Sequence, residues 1–260
     1  MKAAVGFIGT NPLRGFPPES LFWMYGGAGS AAMPAVARNR WPRMIGHMTP
    51  ASAPAEDPKA VLHRIAAIAA LGVALAFGIQ ILIVAAKLLL GGYVARPLLP
   101  LDLASGVAWS VVVCLATGIG VSVLRAAPTV SGLIAALFAP LAVAASRAAN
   151  QMMSAAIGVI GKQAAVSLVT LAGLKALEYG LLGFLLARLA QSGETRFARF
   201  AGTGLGLGIV FAGVALWIRL AAGTAPAAEI AATAINEVIF PAGCAAVVYV
   251  GRMMARAGSG

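Results

Sequence analysis

The sequence predicts an all-α, polytopic membrane protein with six transmembrane helices. Of its 260 residues, 60% are hydrophobic and only 10% are charged, whereas a soluble domain has about 25% charged residues. The mean hydropathy is +0.91. Beyond residue 60 the chain contains six apolar segments, each close to the ~20 residues that cross a bilayer core as a helix. These observations exclude a water-soluble globular enzyme and a disordered chain.

The N-terminal segment, residues 1–59, differs from the rest because it is rich in Pro, Gly and Arg. No apolar run in it reaches the length of a secretory signal core. Two interpretations stay open: a transit-like or disordered tail, or upstream sequence read through from a misassigned start. We favour the second, with Met48 as the start, and expect no compact fold here. Residues 60–256 form the predicted transmembrane domain.

The six predicted spans are 65–86, 103–124, 126–146, 163–187, 200–218 and 230–251. They must be helical, because lipid cannot satisfy unpaired backbone groups. The ~10-residue alternation of a transmembrane β-barrel is not visible.

The first predicted span ends at Lys87 and the fifth at Arg219. The second and third are joined by little more than Arg125, and Pro128 suits the first turn of a helix, so we expect a tight antiparallel hairpin. The longest connection, 147–162, either extends the third helix or lies at the membrane interface.

The distribution of Lys and Arg predicts the orientation. The side of the membrane that holds the N-terminus carries eight of these residues, and the opposite side carries five. The eight are Lys59, Arg64, Arg125, Arg188, Arg196, Arg199, Arg252 and Arg256; the five are Lys87, Arg96, Arg147, Lys162 and Arg219. This excess predicts a cell inner (plasma) membrane protein with both termini in the cytoplasm. The net charge of +11 is thereby explained without nucleic acid, for which no binding motif appears.

Features of the chain coincide after a shift of 101 residues. Pro140 then falls on Pro241, Lys87 on Arg188, and the pair of methionines at 152–153 on the pair at 253–254. Three spans per unit would place two halves in opposite orientation, as in inverted-repeat transporters. The sequence therefore allows two inverted three-helix repeats, with compositional coincidence as an equal alternative.

Lys175 and Glu178 lie inside the fourth predicted span. A charge at the bilayer centre costs roughly 2.5–3.5 kcal/mol on insertion scales. Their i,i+3 spacing puts both on one helix face, which should point into the bundle or a wet cavity. The pair either belongs to an ion or proton pathway or is a buried ion pair that fixes packing.

Asn236 and Glu237 lie in the sixth span, a turn before Pro241. Proline removes a backbone donor, so a carboxylate, an amide and freed carbonyls together could coordinate a cation. The alternative is a kinked helix whose polar groups bond its neighbours. Pro140 is the matching kink in the third span, without the polar pair. If helices four and six touch, Lys175 lies between two carboxylates, in a cluster of charge −1.

The cysteines and the closely spaced glycines are predicted to pack helices rather than to bind a ligand or catalyse a reaction. Cys114 and Cys244 each lie inside an apolar run and suit small packing positions. The spacings Gly202/Gly206 and Gly204/Gly208 favour close helix approach, in which a neighbouring helix or a second copy would take part. No hydrolase, nucleotide or zinc motif is present. We therefore expect no catalytic residue, no bound metal and no cofactor.

Two functions remain open, with an intramembrane enzyme as a distant third. The first is a small channel or transporter for an ion or solute, with Lys175, Glu178, Asn236 and Glu237 along its path. The second is a non-catalytic structural or assembly subunit of a membrane complex, in which the same residues only lock helices. The lipid bilayer is the one certain partner; a second copy or a complex partner is compatible with either function.

Overall fold

The computed structural model describes residues 57–92, 98–159, 167–221, 223 and 226–257. The N-terminal segment predicted for residues 1–59 lies outside them, except for its last three residues. The helices are α1 (Pro58–Leu89), α2 (Leu99–Gly118, continued by a π-helical turn, Ile119–Val123), α3 (Pro128–Ile157), α4 (Leu168–Gln191), α5 (Phe197–Ala221) and α6 (Ala227–Ala257). About 90% of these described residues are helical and none is in a strand. All six helices are long and apolar enough to span a membrane, which confirms the fold class.

Each helix extends past its predicted apolar run at one end or at both, because helical hydrogen bonding continues where polar residues leave the hydrocarbon. At its other end α4 begins only at Leu168, five residues after the predicted start, because Ser167 caps the helix. The largest extension is in α3, which reaches Ile157 and ends at Gly158 with a left-handed φ of 67°. The first part of the long connection therefore extends the third helix. The predicted start of the fourth span, residue 163, lies outside the described residues.

The hairpin between α2 and α3 forms as predicted. Four residues connect the helices, and Arg125 turns the chain with a φ of 47°. Pro128 occupies the first turn of α3, where its missing N–H has no cost. The hydroxyl of Ser131 donates to the carbonyl of Gly120 at 3.1 Å, and this bond ties the two helices together.

The helices form one bundle in which chain neighbours pack side by side and α6 returns to α1. Helices α2, α4 and α6 run in the same direction, and each contacts the other two. They start at the end of the bundle where α1 reaches Lys87, here called the Lys87 end. The opposite end, where α1 begins, is called the Pro58 end.

The possible repeat has mixed support from the helices. Adding 101 to the bounds of α3 (128 and 157) gives 229 and 258, and α6 runs from 227 to 257. The central contacts are not symmetric, however: α2, α4 and α6 contact one another, but no comparable contacts join their counterparts α5, α1 and α3 among the described residues. The inverted repeat stays a prediction.

The turn between α4 and α5 is fixed at the Pro58 end. The Glu194 carboxylate accepts the backbone N–H groups of Arg196 at 2.9 Å and Thr195 at 3.0 Å. The Arg196 bond is the main reason that the pKa of Glu194 lies below its usual value. Arg252 of α6 donates to the carbonyls of Ala190, at 2.6 Å, and Glu194, at 2.5 Å. These bonds hold α6 against the turn.

Candidate functional site

Three of the four polar residues predicted for the site meet in the middle of the bundle. The Lys175 ammonium donates to the Glu178 carboxylate at 2.8 Å, within α4. It also donates to the Glu237 carboxylate, which α6 supplies. All three residues are buried, with exposed fractions of 6%, 0% and 8% in that order. One cation is therefore shared by two carboxylates, and the fully ionised triad carries a charge of −1.

Aromatic rings form one side of the triad. The Lys175 Nζ lies 5.8 Å from the ring centroids of both Trp109 and Tyr179, within the range of a cation–π interaction. Tyr179 packs edge to face against Trp109 at 5.5 Å and against Phe240 at 6.2 Å. The rings come from α2, α4 and α6, so the three parallel helices meet at this point.

The two carboxylates of the triad differ in exposure. Glu178 is fully buried, and its Oε1 has no hydrogen-bond partner among the described residues. Glu237 instead lines a cavity, together with Lys175 and Asn236. Because only Glu237 and Lys175 border open space, they are the members of the triad that can meet an ion or a solute.

The cavity has a volume of about 490 Å³ and is lined by residues of all six helices. At the Lys87 end, Lys87 of α1 and Glu229 of α6 form an ion pair at 2.9 Å, with the Glu229 side chain 34% exposed. From there the cavity descends to Lys175 and Glu237, about two turns of α6 deeper. Its other polar lining residues are Gln80, Asp102, Ser105, Trp109, Ser146, Arg147, Thr170, Arg219 and Thr233.

A packed core lies between the triad and the Pro58 end. Cys114, Leu182, Cys244 and Val248 are 0% exposed. The Cys114 and Cys244 sulfurs are 3.4 Å apart, a contact that the sequence did not predict. The cavity lining does not extend past this layer. Among the described residues, this cavity therefore reaches the triad from the Lys87 end.

The backbone beside Glu237 is unusual because Pro241 has no N–H. The carbonyl of Glu237, four residues earlier, therefore lacks its normal intrahelical donor. Helix α5 packs on this point through Gly208: a Cβ there would lie 2.9 Å from the Glu237 carbonyl and 2.7 Å from that of Val238. A Cβ at Gly204 would lie even closer to the Pro241 carbonyl. Pro241 and Pro140 both lie inside unbroken helices.

The two predicted glycine pairs behave differently. Gly204 and Gly208 face α6, whereas a Cβ at Gly202 or Gly206 would meet no atom of the described chain within 4 Å. The close approach of α5 to α6 therefore uses Gly204 and Gly208 rather than Gly202 and Gly206. Gln80 joins helices as well, since its amide donates to the Asp102 carbonyl at 3.0 Å.

Sequence reasoning missed most of the cavity wall. Lys87, Arg147 and Arg219 terminate apolar runs, so they were counted as flanking charges that set orientation. In the structure all three line the cavity. Ser105 and Ser146, whose hydroxyl oxygens are 2.5 Å apart, gave no sequence signal. A helical-wheel comparison of α2 and α3 could have found this pair, but only with the helix neighbours already known.

The site combines a buried, shared ion pair with open space beside it. No group of three His, Cys, Asp or Glu side chains converges as metal ligands would in the ranges that the structure covers. No protein-family model, curated protein or solved structure matches the chain. The geometry and charge of the site therefore carry the functional argument.

Proposed function

We propose that this protein transports an ion or small solute across the membrane, with Lys175 and Glu237 as the binding site. The observation that carries the proposal is a cavity that runs from the Lys87 end to a buried, shared ion pair. Ionisable groups are costly inside a membrane and usually mark pathways there. A pair that served only to lock helices would need no open space beside it.

One-sided access favours a transporter over an open channel. The cavity reaches the triad from the Lys87 end, while Cys114, Leu182 and Cys244 fill the layer beyond it. Transporters bind their substrate near the midplane and expose it to one side at a time. The excess of Lys and Arg on the side of the termini predicts that the cavity faces the non-cytoplasmic side.

The experiment uses the purified protein reconstituted in liposomes. A potassium diffusion potential drives cation entry, and an enclosed pH dye records proton uptake. Proton uptake should be faster in liposomes with wild-type protein than in protein-free liposomes, and Glu237→Gln should remove most of that difference. Glu178→Gln should have the smaller effect, because Glu178 pairs with the same Lys175 but does not line the cavity.

Glu194→Gln is the matched control for this measurement. Glu194 lies at the Pro58 end, and a Gln there still offers an oxygen to the two backbone donors that it now accepts. Equal flux through wild type, Glu237→Gln and Glu194→Gln would contradict the proposal. Wild-type flux equal to that of empty liposomes, with other proteins co-purifying, would favour the role of a subunit in a larger complex.

A further inference from the structure

The walls of the cavity contain an arginine that pairs with no carboxylate among the described residues. Lys87 is neutralised by Glu229, and Arg219 donates to the hydroxyl of Thr233. Arg147 of α3 lines the cavity, yet its Nη2 is buried and has no acceptor among the described residues. A buried donor of a charged group is expensive to leave unsatisfied. Among the three cations of the wall, Arg147 is thus the one with an unsatisfied buried donor in the part of the chain that the structure describes.

The charge around Arg147 favours an anion. The wall above the triad contains three cations, Lys87, Arg147 and Arg219, and two carboxylates, Asp102 and Glu229, which leaves a charge of +1 before any ligand binds. The two carboxylates already have partners in the protein. The triad at the floor of the cavity carries −1, so the positive excess is local to the wall around Arg147, and an incoming anion would be attracted there.

The chemistry of the nearby groups specifies an oxyanion. A guanidinium offers two parallel N–H groups that match the oxygens of a carboxylate or a phosphate. The hydroxyls of Ser105 and Ser146, which are bonded to each other, line the same cavity, and the pair keeps one proton that it can donate to a ligand. A volume of about 490 Å³ is in the range of sites for small organic ligands.

We propose that Arg147 anchors a small oxyanion, a carboxylate or phosphate group, in the cavity above the Lys175–Glu237 pair. This deepens the proposed transport function and rests on it, because it specifies the chemical class of the transported solute. The bound oxyanion would lie on the path to the triad. Glu237, on the floor of the cavity, would face the remainder of the solute.

The test is a cysteine-labelling experiment that does not depend on transport. Gly132 of α3 packs against Phe184 of α4. The two helices are antiparallel, so Arg147, fifteen residues after Gly132, lies level with residue 169, which is fifteen residues before Phe184. Thr170→Cys therefore places a thiol in the cavity beside Arg147. The native cysteines are fully buried and do not compete.

Two thiosulfonate reagents of similar size are compared, one carrying a sulfonate and one a trimethylammonium group. Thr170→Cys should favour the sulfonate reagent, and adding Arg147→Gln should lower the ratio of the two rates by about tenfold or more. Inorganic phosphate or acetate should slow labelling only while Arg147 is present. Arg188→Gln, an exposed arginine on α4 at the Pro58 end, is the matched control and should leave the ratio unchanged.

An unchanged ratio in Arg147→Gln, or an equal fall in Arg188→Gln, would overturn the proposal. Liposomes of phosphatidylcholine and of phosphatidylglycerol separate the two sources of the oxyanion. Protection by phosphatidylglycerol alone would assign the site to a lipid headgroup, and protection by soluble phosphate or acetate would assign it to a free solute. Since labelling needs no flux, failure here is distinct from failure of the transport assay.

Discussion

Replacing Lys175 by Met tests whether the buried charges depend on one another. Met keeps the length of the side chain and removes the ammonium. Glu178 and Glu237 would then remain in the bundle without the cation that they share. Two buried carboxylates with no counter-ion should destabilise the fold far more than a surface Lys→Met change does.

The magnitude follows from the two ion pairs. At an effective dielectric of about 20, each ion pair contributes roughly 4 kcal/mol of attraction. The loss of this attraction in the variant is partly offset, because no ammonium has to be desolvated when the variant folds. Breaking a buried pair by removing one partner costs about 3–5 kcal/mol. Natural domains are stable by only about 5–15 kcal/mol, so Lys175→Met should be close to unfolding.

The assay is unfolding in detergent followed by tryptophan fluorescence, since Trp109 lies beside the Lys175 ammonium. The triple variant Lys175→Met/Glu178→Gln/Glu237→Gln removes all three charges. The free energy of unfolding of this triple variant should lie within about 1–2 kcal/mol of that of wild type. The control Lys59→Met, exposed in the first turn of α1, should change stability by no more than about 0.5 kcal/mol.

Two results would refute this reasoning. One is a Lys175→Met variant as stable as Lys59→Met, which would mean that the carboxylates do not need the ammonium. The other is a triple variant no more stable than Lys175→Met, which would mean that the loss comes from packing rather than from charge.

Two further predictions concern the packing around the site. Gly208→Ala should destabilise the protein by about 1–3 kcal/mol in the same unfolding assay, because its Cβ would lie 2.7 Å from the Val238 carbonyl. Gly206→Ala, with open space around it, should be neutral or slightly stabilising, and equal losses in the two variants would contradict the α5–α6 contact. Cys114 and Cys244 are 0% exposed, so a thiol reagent should modify neither until the protein is denatured. Rapid labelling of the native protein would show that the layer beyond the triad is open.

The composition and six apolar runs were sufficient to predict the fold class, because hydrocarbon allows few alternatives to a bundle of helices. The contact between Lys175 and the two carboxylates was also within reach of the sequence. Intramembrane charges must turn inward. Because helices four and six are parallel, the depths of their charged residues in the membrane can be compared.

The cavity could not be predicted, because it depends on which helices are neighbours. Arg147 and Arg219 have the same sequence pattern as cations that lie in the headgroup region: each ends an apolar run. The difference between Glu178 and Glu237 was hidden for the same reason. Both are carboxylates inside apolar spans, and the packing of the surrounding helices decides which one borders open space.

The most direct test of a one-sided path to the triad is the accessibility of residue 236. Asn236 lines the cavity beside Glu237, so Asn236→Cys reports whether water-borne reagents reach this depth. Right-side-out and inside-out membrane vesicles are treated with a membrane-impermeant maleimide. Labelling in right-side-out vesicles only is the predicted result. Labelling in both preparations, or in neither, would contradict the one-sided path, and labelling only in inside-out vesicles would contradict the predicted orientation.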